Sequence, residues 1–357
     1  MNEAKMSRRS FLRGSIALGA GAAGVFALTS CAPRSAQSAS SASSAASAAS
    51  SSAASASAAA GSGKVTLHRG YGAAHGAKCF TQAVIATAED GTIVAADIDD
   101  YQFGDTTEGW QGVPNSDGDL AQSWQPDVVL FSKKQNSDKY SAEMKQSKGA
   151  TQTWAQSMEA IQKYLVGKKP SDLASVSLDA VSGATLVDTP KYVALAATVA
   201  QSTDLVSDGS FSGNASDLKI GQTLSAAHGT KAFASAVSLV QGSTLVATSI
   251  DEFQAIATTT SGLKPVPNSD ADFGANYADG VELCSKAQNS DVYSEGMKSK
   301  NGATQTWLQS IQAIEKFCAG KNVSDVKADG LDAVSGATLV DTSKYVAAAN
   351  EAAQAAK

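Results

Sequence analysis

Histidine and cysteine are nearly absent from this chain of 357 residues, which holds three of the first and four of the second. The four cysteines (Cys31, Cys79, Cys284 and Cys318) make no zinc-like spacing and no C-x-x-C-H haem-attachment site, so a multihaem cytochrome is excluded. Aromatic residues are only 6% of the chain, and beyond the first few positions the basic residues gather into no cluster. The formal net charge is −6. Four basic residues (Lys5, Arg8, Arg9, Arg13) and one acid (Glu3) sit in the N-terminal leader, so the remainder is more acidic still. Such a surface argues against nucleic acid and against broad adsorption on anionic lipid. From Lys64 onward there is no G-x-G-x-x-G turn, the mark of a large dinucleotide-binding domain. Long apolar runs are missing too. The most apolar stretch, Ile16 to Leu28, is short and rich in Gly and Ala, unlike a membrane span.

Residues 1–30 have the organisation of a targeting segment and are set aside from the fold. Ser7-Arg8-Arg9-Ser10-Phe11-Leu12-Arg13 resembles a twin-arginine export signal, and Leu28-Thr29-Ser30-Cys31 resembles a bacterial lipobox. Cleavage before Cys31 would leave a lipidated cysteine at the new N-terminus; the alternative is an uncleaved anchor with an incidental Cys31. Both place the protein at the cell membrane, tethered on its extracytosolic face. Residues 31–63 then form a linker, almost wholly Ser, Ala and Gly from Ser35 to Gly63. With nothing large to bury, such a segment does not offset the entropy of ordering. As a coil it spans roughly 30 Å, and fully extended roughly 100 Å.

The rest of the chain is a tandem duplication at one constant spacing. Ala73-Ala74-His75-Gly76 returns as Ala226-Ala227-His228-Gly229, and Val113-Pro114-Asn115-Ser116-Asp117 as Val266-Pro267-Asn268-Ser269-Asp270. Gln135-Asn136-Ser137-Asp138 returns as Gln288-Asn289-Ser290-Asp291, and the G-A-T-Q-T-W run ending at Trp154 returns ending at Trp307. Each copy is long enough for its own core. The expected domains are 64–205 and 213–357, joined by a polar linker at 206–212.

Within a copy, Phe80 to Thr87 and Ile93 to Ile98 alternate around Glu89-Asp90-Gly91 and predict a hairpin. A helix is expected near Thr151, with Trp154, Met158, Ile161 and Leu165 on one face and Gly167 as its stop. The second copy repeats the stripe as Trp307, Ile311, Ile314 and Cys318. A last helix is expected after Thr189-Pro190 and after Thr342-Ser343, where Thr caps and Pro fits the first turn. Hairpins followed by helices predict an α+β fold, each copy an antiparallel sheet with packed helices. Cys79, Cys284 and Cys318 align with Ala232, Phe131 and Leu165, so two of the three replace large apolar residues and read as buried small hydrophobes. A Cys284–Cys318 bridge is the alternative, although the first copy has no equivalent pair.

One heptapeptide occurs in both copies: Asp179-Ala180-Val181-Ser182-Gly183-Ala184-Thr185 and Asp332-Ala333-Val334-Ser335-Gly336-Ala337-Thr338, each followed by Leu-Val-Asp-Thr. This D-x-x-S-G-A-T sequence resembles the site at which FMN-binding domains of the sodium-pumping quinone reductase and Rnf complexes carry covalent flavin. The rest of the chain is similar to two-domain flavinylated lipoproteins of Gram-positive extracellular electron transfer, on the segments His75 to Phe80 and Ile98 to Gln102, then His228 to Phe233 and Ile250 to Gln254.

The resemblance implies FMN in phosphoester linkage to Thr185 and Thr338, installed by a partner FAD:protein FMN transferase with each Thr as nucleophile. The neighbouring residue types suit that chemistry. Gly183 and Ala184, and Gly336 and Ala337, let a backbone approach closely. Ser182 and Ser335 are further hydrogen-bond donors, and backbone N–H groups in the turn favour an anion. Asp179 and Asp332 fit recognition by the transferase, or its metal, better than contact with a phosphate. His75 and His228 are read as donors to the flavin, the other reading being a turn cap. Lys78 and Lys231 either offset flavin charge or are solvated. Candidate ring walls are Trp154 and Trp307, Tyr101 and Phe253, Phe80 and Phe233, and Tyr140 and Tyr293.

The expected function is electron relay rather than stand-alone catalysis, with no catalytic acid or base and no metal. Electrons would arrive from a membrane quinol- or NADH-linked donor and leave to an extracytosolic acceptor or reductase. The rival reading is a flavin-free solute-binding or adhesion lipoprotein in which both threonines are structural. Trp110 and Phe103 occur only in the first copy, so two flavin environments would differ.

Overall fold

Every residue from Cys79 to Thr87 is buried, the polar Thr81, Gln82 and Thr87 included. Such burial requires a sheet covered on both faces. The computed structural model describes residues 63–330 and 333–357. The leader, Cys31, the Ser/Ala tether to residue 62 and Asp332 lie outside the described residues.

Strands β1 (Gly63–Gly72), β2 (Cys79–Ala88), β3 (Ile93–Asp105) and β4 (Val128–Ser132) form an antiparallel sheet ordered β4-β3-β2-β1. The expected hairpin is β2–β3, turning at Gly91 with φ 82°. The polar stretch read as a linker carries β5 (Val206–Phe211), which extends this sheet by pairing antiparallel with β1. Gly209 is needed there, because a Cβ would stand 2.2 Å from the Val246 carbonyl oxygen. The second copy repeats the meander as β6 (Leu218–Ser225), β7 (Ala232–Gln241), β8 (Thr244–Ala257) and β9 (Val281–Ser285).

Among the described residues six α-helices accompany the sheets: α1 (Ser137–Lys148), α2 (Trp154–Leu165) and α3 (Thr189–Val199), then α4 (Ser290–Asn301), α5 (Trp307–Cys318) and α6 (Thr342–Gln354). Helices α2 and α5 begin with complete capping boxes, Thr153 with Gln156 and Thr306 with Gln309. Thr189 and Thr342 are not the caps of α3 and α6. Asp188 and Asp341 hold the cap positions, and each Thr hydroxyl instead donates back to the carbonyl of Leu186 or Leu339. Among the described residues no helix is long and apolar enough to cross a membrane. The fold is α+β with antiparallel sheets.

The side-chain clusters give the layering. The predicted stripe Trp154, Met158, Ile161 and Leu165 packs with Tyr192, Val193 and Ala196 of α3 on Ala83, Ile85 and Ile98 of the first sheet. Trp307, Ile311, Ile314 and Cys318 pack equivalently with Tyr345, Val346 and Ala349 on the second. The opposite sheet faces meet each other. Val65, Leu67, Val84 and Ala86 pack on Val237, Leu239, Val246 and Ala247, and Phe80, Tyr101 and Phe103 on Phe233, Phe253 and Phe273. The result is helix, sheet, sheet, helix, with the layer between the sheets common to both copies. Cys79, Cys284 and Cys318 are free and buried, as small hydrophobes.

The V-P-N-S-D segments cross-brace the copies. Asn115 and Asn268 adopt left-handed φ of 68° and 65°, where Asn is among the tolerated residues. The Asn115 side-chain amide donates to the carbonyls of Gly229 (3.0 Å) and Ala232 (2.6 Å). That of Asn268 donates to Gly76 (2.7 Å) and Cys79 (2.6 Å). Leu120 N–H reaches Thr230 and Phe273 N–H reaches Ala77. Each motif thus grips the His-Gly loop of the other copy. Asn115→Ala removes two cross-copy bonds and is expected to cost about 1–3 kcal/mol. Denaturant unfolding followed by both intrinsic fluorescence and far-UV circular dichroism should give one coincident transition at a lower midpoint. Separate transitions for the two probes would contradict a shared core.

A second expected effect arises where α5 meets the inter-sheet layer. Glu315 is buried, its Oε1 accepting from Ile250 N–H at 2.8 Å. Burial pushes its carboxyl up to about 8, only partly opposed by that bond and by Arg69. The folded protein therefore holds a proton that the unfolded chain releases near its ordinary pKa. Stability is full below about pH 4.5 and falls through about pH 8, by at most roughly 1.4 kcal/mol per unit across that window. Glu315→Gln should flatten this slope in a pH series of denaturation midpoints; an unchanged slope would assign it elsewhere. The first copy already has glutamine at this place, Gln162, donating to Ala96 O.

Candidate functional site

Both S-G-A-T segments are built alike. Val181 and Val334 are buried anchors, and a turn closes by Ala184 N–H on Val181 O and Ala337 N–H on Val334 O. Gly183 and Gly336 take φ of 87° and 86°, a conformation that disfavours any side chain. The chain then presents Thr185 and Thr338 on the surface, exposed residues accessible to another protein. Each hydroxyl lies 3.2 Å from a buried serine hydroxyl, Ser157 for Thr185 and Ser310 for Thr338. The same serine oxygen accepts the threonine N–H at 3.3 Å. These serines follow Trp154 and Trp307 by three positions on the buried helix face, and sequence reasoning missed them. Their signal was a small polar residue in both copies of an otherwise apolar stripe.

The histidines come to the same place. His75 Nδ1 lies 3.0 Å from Asp188 Oδ2, and His228 Nδ1 lies 2.7 Å from Asp341 Oδ2. Asp188 and Asp341 belong to the L-V-D-T tails of the motif and also pair with Lys191 and Lys344. Burial and the nearby Lys133 ammonium hold His75 below the usual imidazole range, against Asp188 and Asp100. Partial desolvation raises the Asp341 carboxyl, but Lys344 and His228 outweigh it and hold the carboxyl below the ordinary range.

Under this rim lies a buried ion pair that the sequence did not reveal. Lys133 Nζ meets Asp100 Oδ2 at 3.2 Å, and Lys286 meets Glu252, all four side chains being closed to solvent. Tyr192 and Tyr345 donate to the same carboxylates. Each ammonium also stands 4.6 Å from the ring centre of Tyr140 or Tyr293. Burial alone would lower the Lys133 pKa; the adjoining Asp100 carboxylate reverses this and keeps the ammonium charged.

In the second copy these groups enclose a pocket of about 300 Å³ lined by His228, Lys286, Tyr293, Trp307, Thr338 and Tyr345, among others. Its size lies at the small end of ligand sites. The Trp307 indole N–H is buried beside the Tyr345 hydroxyl of the same wall. Val340 also lines the pocket yet is 77% exposed, and Val187, its counterpart, is 79% exposed. An aromatic wall, an exposed threonine and an uncovered apolar rim fit a flat group such as the ring of FMN. In the first copy, Ser182 and Gly183 line a wider groove of about 660 Å³ with Gln156, Ala160 and Tyr164.

Other expectations are redistributed. Of the proposed ring walls, Trp307 and Tyr293 line the pocket, whereas Phe80, Tyr101, Phe233 and Phe253 lie in the layer between the sheets. Sheet pleating forces this: they point away from the helix face that carries the site. Lys78 and Lys231 are exposed at the starts of β2 and β7, and the site's cations are Lys133 and Lys286. Asp179 is exposed, compatible with recognition by a second protein. The helix starts are not free anion sites, because Asp188 and Asp341 already place a carboxylate at each. Among the described residues no cluster of three or more His, Cys, Asp or Glu side chains is arranged to hold a metal ion. No family model, curated protein or solved structure matches the chain.

Proposed function

We propose that this protein is an extracytosolic electron carrier whose two tandem homologous FMN-binding domains hold covalent FMN on Thr185 and Thr338, in a lipoprotein anchored through Cys31. The carrying observation is the exposed Thr338 hydroxyl at the mouth of a pocket that joins Trp307, Tyr293, His228 and a buried Lys286. The bound FMN supplies reversible one- and two-electron chemistry. The chain's own residues supply the rest. Ser157 and Ser310 fix each threonine and can donate to its phosphoester oxygen. Lys133 and Lys286, each paired with its own buried carboxylate, fix the Tyr140 and Tyr293 rings beside the site. The histidines offer donors to polar ring edges. No side chain is required as a catalytic acid or base.

In this reading a partner FAD:protein FMN transferase loads both threonines. A membrane quinol- or NADH-linked enzyme donates electrons, and an extracytosolic acceptor or reductase removes them. The test is the visible spectrum of protein co-produced with an active transferase. Flavin absorbance should survive denaturation, bleach with dithionite and return in air without any organic substrate. A colourless protein would favour a flavin-free binding or adhesion lipoprotein.

A further inference from the structure

Each site histidine sits in a loop that the opposite copy holds. Residues 73–78 join β1 to β2, and residues 226–231 join β6 to β7. Ala74 and Ala227 are the buried anchors of these loops, whereas the residues that follow each histidine up to the next strand are exposed and add no side chain to a core. Their backbone carbonyls are taken from across the interface. Asn268 bridges those of Gly76 and Cys79, and Phe273 N–H donates to that of Ala77 at 2.9 Å. In return Asn115 bridges those of Gly229 and Ala232, and Leu120 N–H donates to that of Thr230 at 3.1 Å. The bracing segments are themselves fixed. Val113 and Val266 anchor them in the layer between the sheets. They are also tied to each other: Gln125 N–H donates to Asn276 O at 2.8 Å, and Ala278 N–H to Ser123 O at 2.9 Å. The Trp124 and Tyr277 rings pack beside this join, with centres 5.8 Å apart. One frame therefore connects the two histidine loops.

We propose that each copy positions the site histidine of the other, Asn268 acting on His75 and Asn115 on His228. The histidine ring meets a carboxylate of its own copy, Asp188 at 3.0 Å or Asp341 at 2.7 Å, while its backbone is placed by the opposite copy. The next residue in each loop, Gly76 or Gly229, has a left-handed φ of 60° or 61° and the freedom of glycine. Holding the carbonyl of that glycine removes the freedom at the point where it would swing the ring. Under the electron-carrier reading, on which its redox meaning rests, neither copy builds a complete flavin site alone. The two braces are unequal. Thr230 Oγ1 donates to Asp119 Oδ2 at 2.6 Å, and copy one has Ala77 in place of Thr230. The His228 loop thus has a side-chain tie that the His75 loop lacks.

The test uses the full chain made without transferase and isotope-labelled at histidine nitrogen alone. The sequence holds three histidines, so the spectrum is simple. His68 is the internal control, its ring bonded to Ser202 O at 2.7 Å and Thr87 Oγ1 at 2.8 Å. Asn268→Ala should shift the ring signals of His75 and leave those of His228 and His68 in place. Asn115→Ala should shift His228 alone, and by less, because Thr230 still holds that loop. Asn268→Asp and Asn115→Asp keep a residue that tolerates the left-handed turn but lack the N–H donors. They should give the same crossed pattern, and they carry the test if an alanine variant does not fold. Shifts in the histidine of the substituted copy, or in both alike, would overturn the assignment. So would lower urea midpoints with every ring signal unmoved, which would make the asparagines structural only. No flavin is present in this experiment, so its failure leaves the electron-carrier reading standing. Failure of a transferase to load the threonines would count against that reading and not against the crossed positioning.

Discussion

Replacing Thr338 by alanine is expected to remove one of the two flavins completely and leave the other. Attachment is all-or-none, because the phosphoester has no substitute oxygen in alanine, and the neighbouring Ser310 hydroxyl is buried behind the threonine. Fold should change little. Thr338 loses one side-chain hydrogen bond at 3.2 Å, about 1 kcal/mol, and its N–H still reaches Ser310. Thr185→Ala should behave identically in the first copy, and the double variant should be colourless. Thr338→Ser keeps the hydroxyl and should retain flavin. The readout is denaturation-resistant visible absorbance per protein, beside a thermal melt. Full absorbance in Thr338→Ala would place the cofactor on another residue.

The second large effect is on stability. Glu252→Ala is expected to cost roughly 3–5 kcal/mol, because it strands the Lys286 ammonium and the Tyr345 hydroxyl in a site closed to water. An exposed pair would contribute far less, since water screens it. The asymmetry comes from desolvation, so the pair should behave as a unit. Glu252→Leu combined with Lys286→Met should recover most of the lost stability, and double-mutant analysis should return a large coupling. The flavin reading adds a separate expectation for the double variant: a reduction potential of the copy-two flavin close to that of the parent, since the cation and its carboxylate leave together. Urea midpoints check the first statement and a spectroelectrochemical titration the second. A cost for Glu252→Ala below about 1 kcal/mol would mean that solvent reaches the pair.

What could be read from the chain alone followed the range of the interactions involved. The hairpin of β2 and β3 and the stripe from Trp154 to Leu165 are local patterns, and both were legible. Helix α1 was not, because S-D-K-Y-S-A-E-M-K-Q-S-K offers only Tyr140 and Met144 to a core. Strand β5 reads as a polar turn, V-S-D-G-S-F, and becomes a strand only because β1 leaves an edge to pair with. The repeat was plain, yet the packing of one copy against the other was not. Phe80, Tyr101, Phe233 and Phe253 read equally well as ring walls, and only the pleat says which face they take. Asn115 and Asn268 were visible as repeated residues, but their partners are more than a hundred positions away.

The site divides in the same way. Thr185, Thr338, His75 and His228 stood out as repeated chemistry in a chain poor in histidine. Ser157 and Ser310, Asp188 and Asp341, and the buried pairs of Lys133 with Asp100 and Lys286 with Glu252 did not. Each of these acts through a neighbour distant in sequence, and a buried lysine looks like any surface lysine until its carboxylate is placed beside it.

The most direct measurement is peptide mass mapping of the full chain co-produced with an active FAD:protein FMN transferase. The account predicts FMN increments on two peptides, one containing Thr185 and one containing Thr338, with fragment ions locating each on its threonine. Unmodified threonines in both peptides, beside a control substrate that the same transferase has loaded, would contradict it.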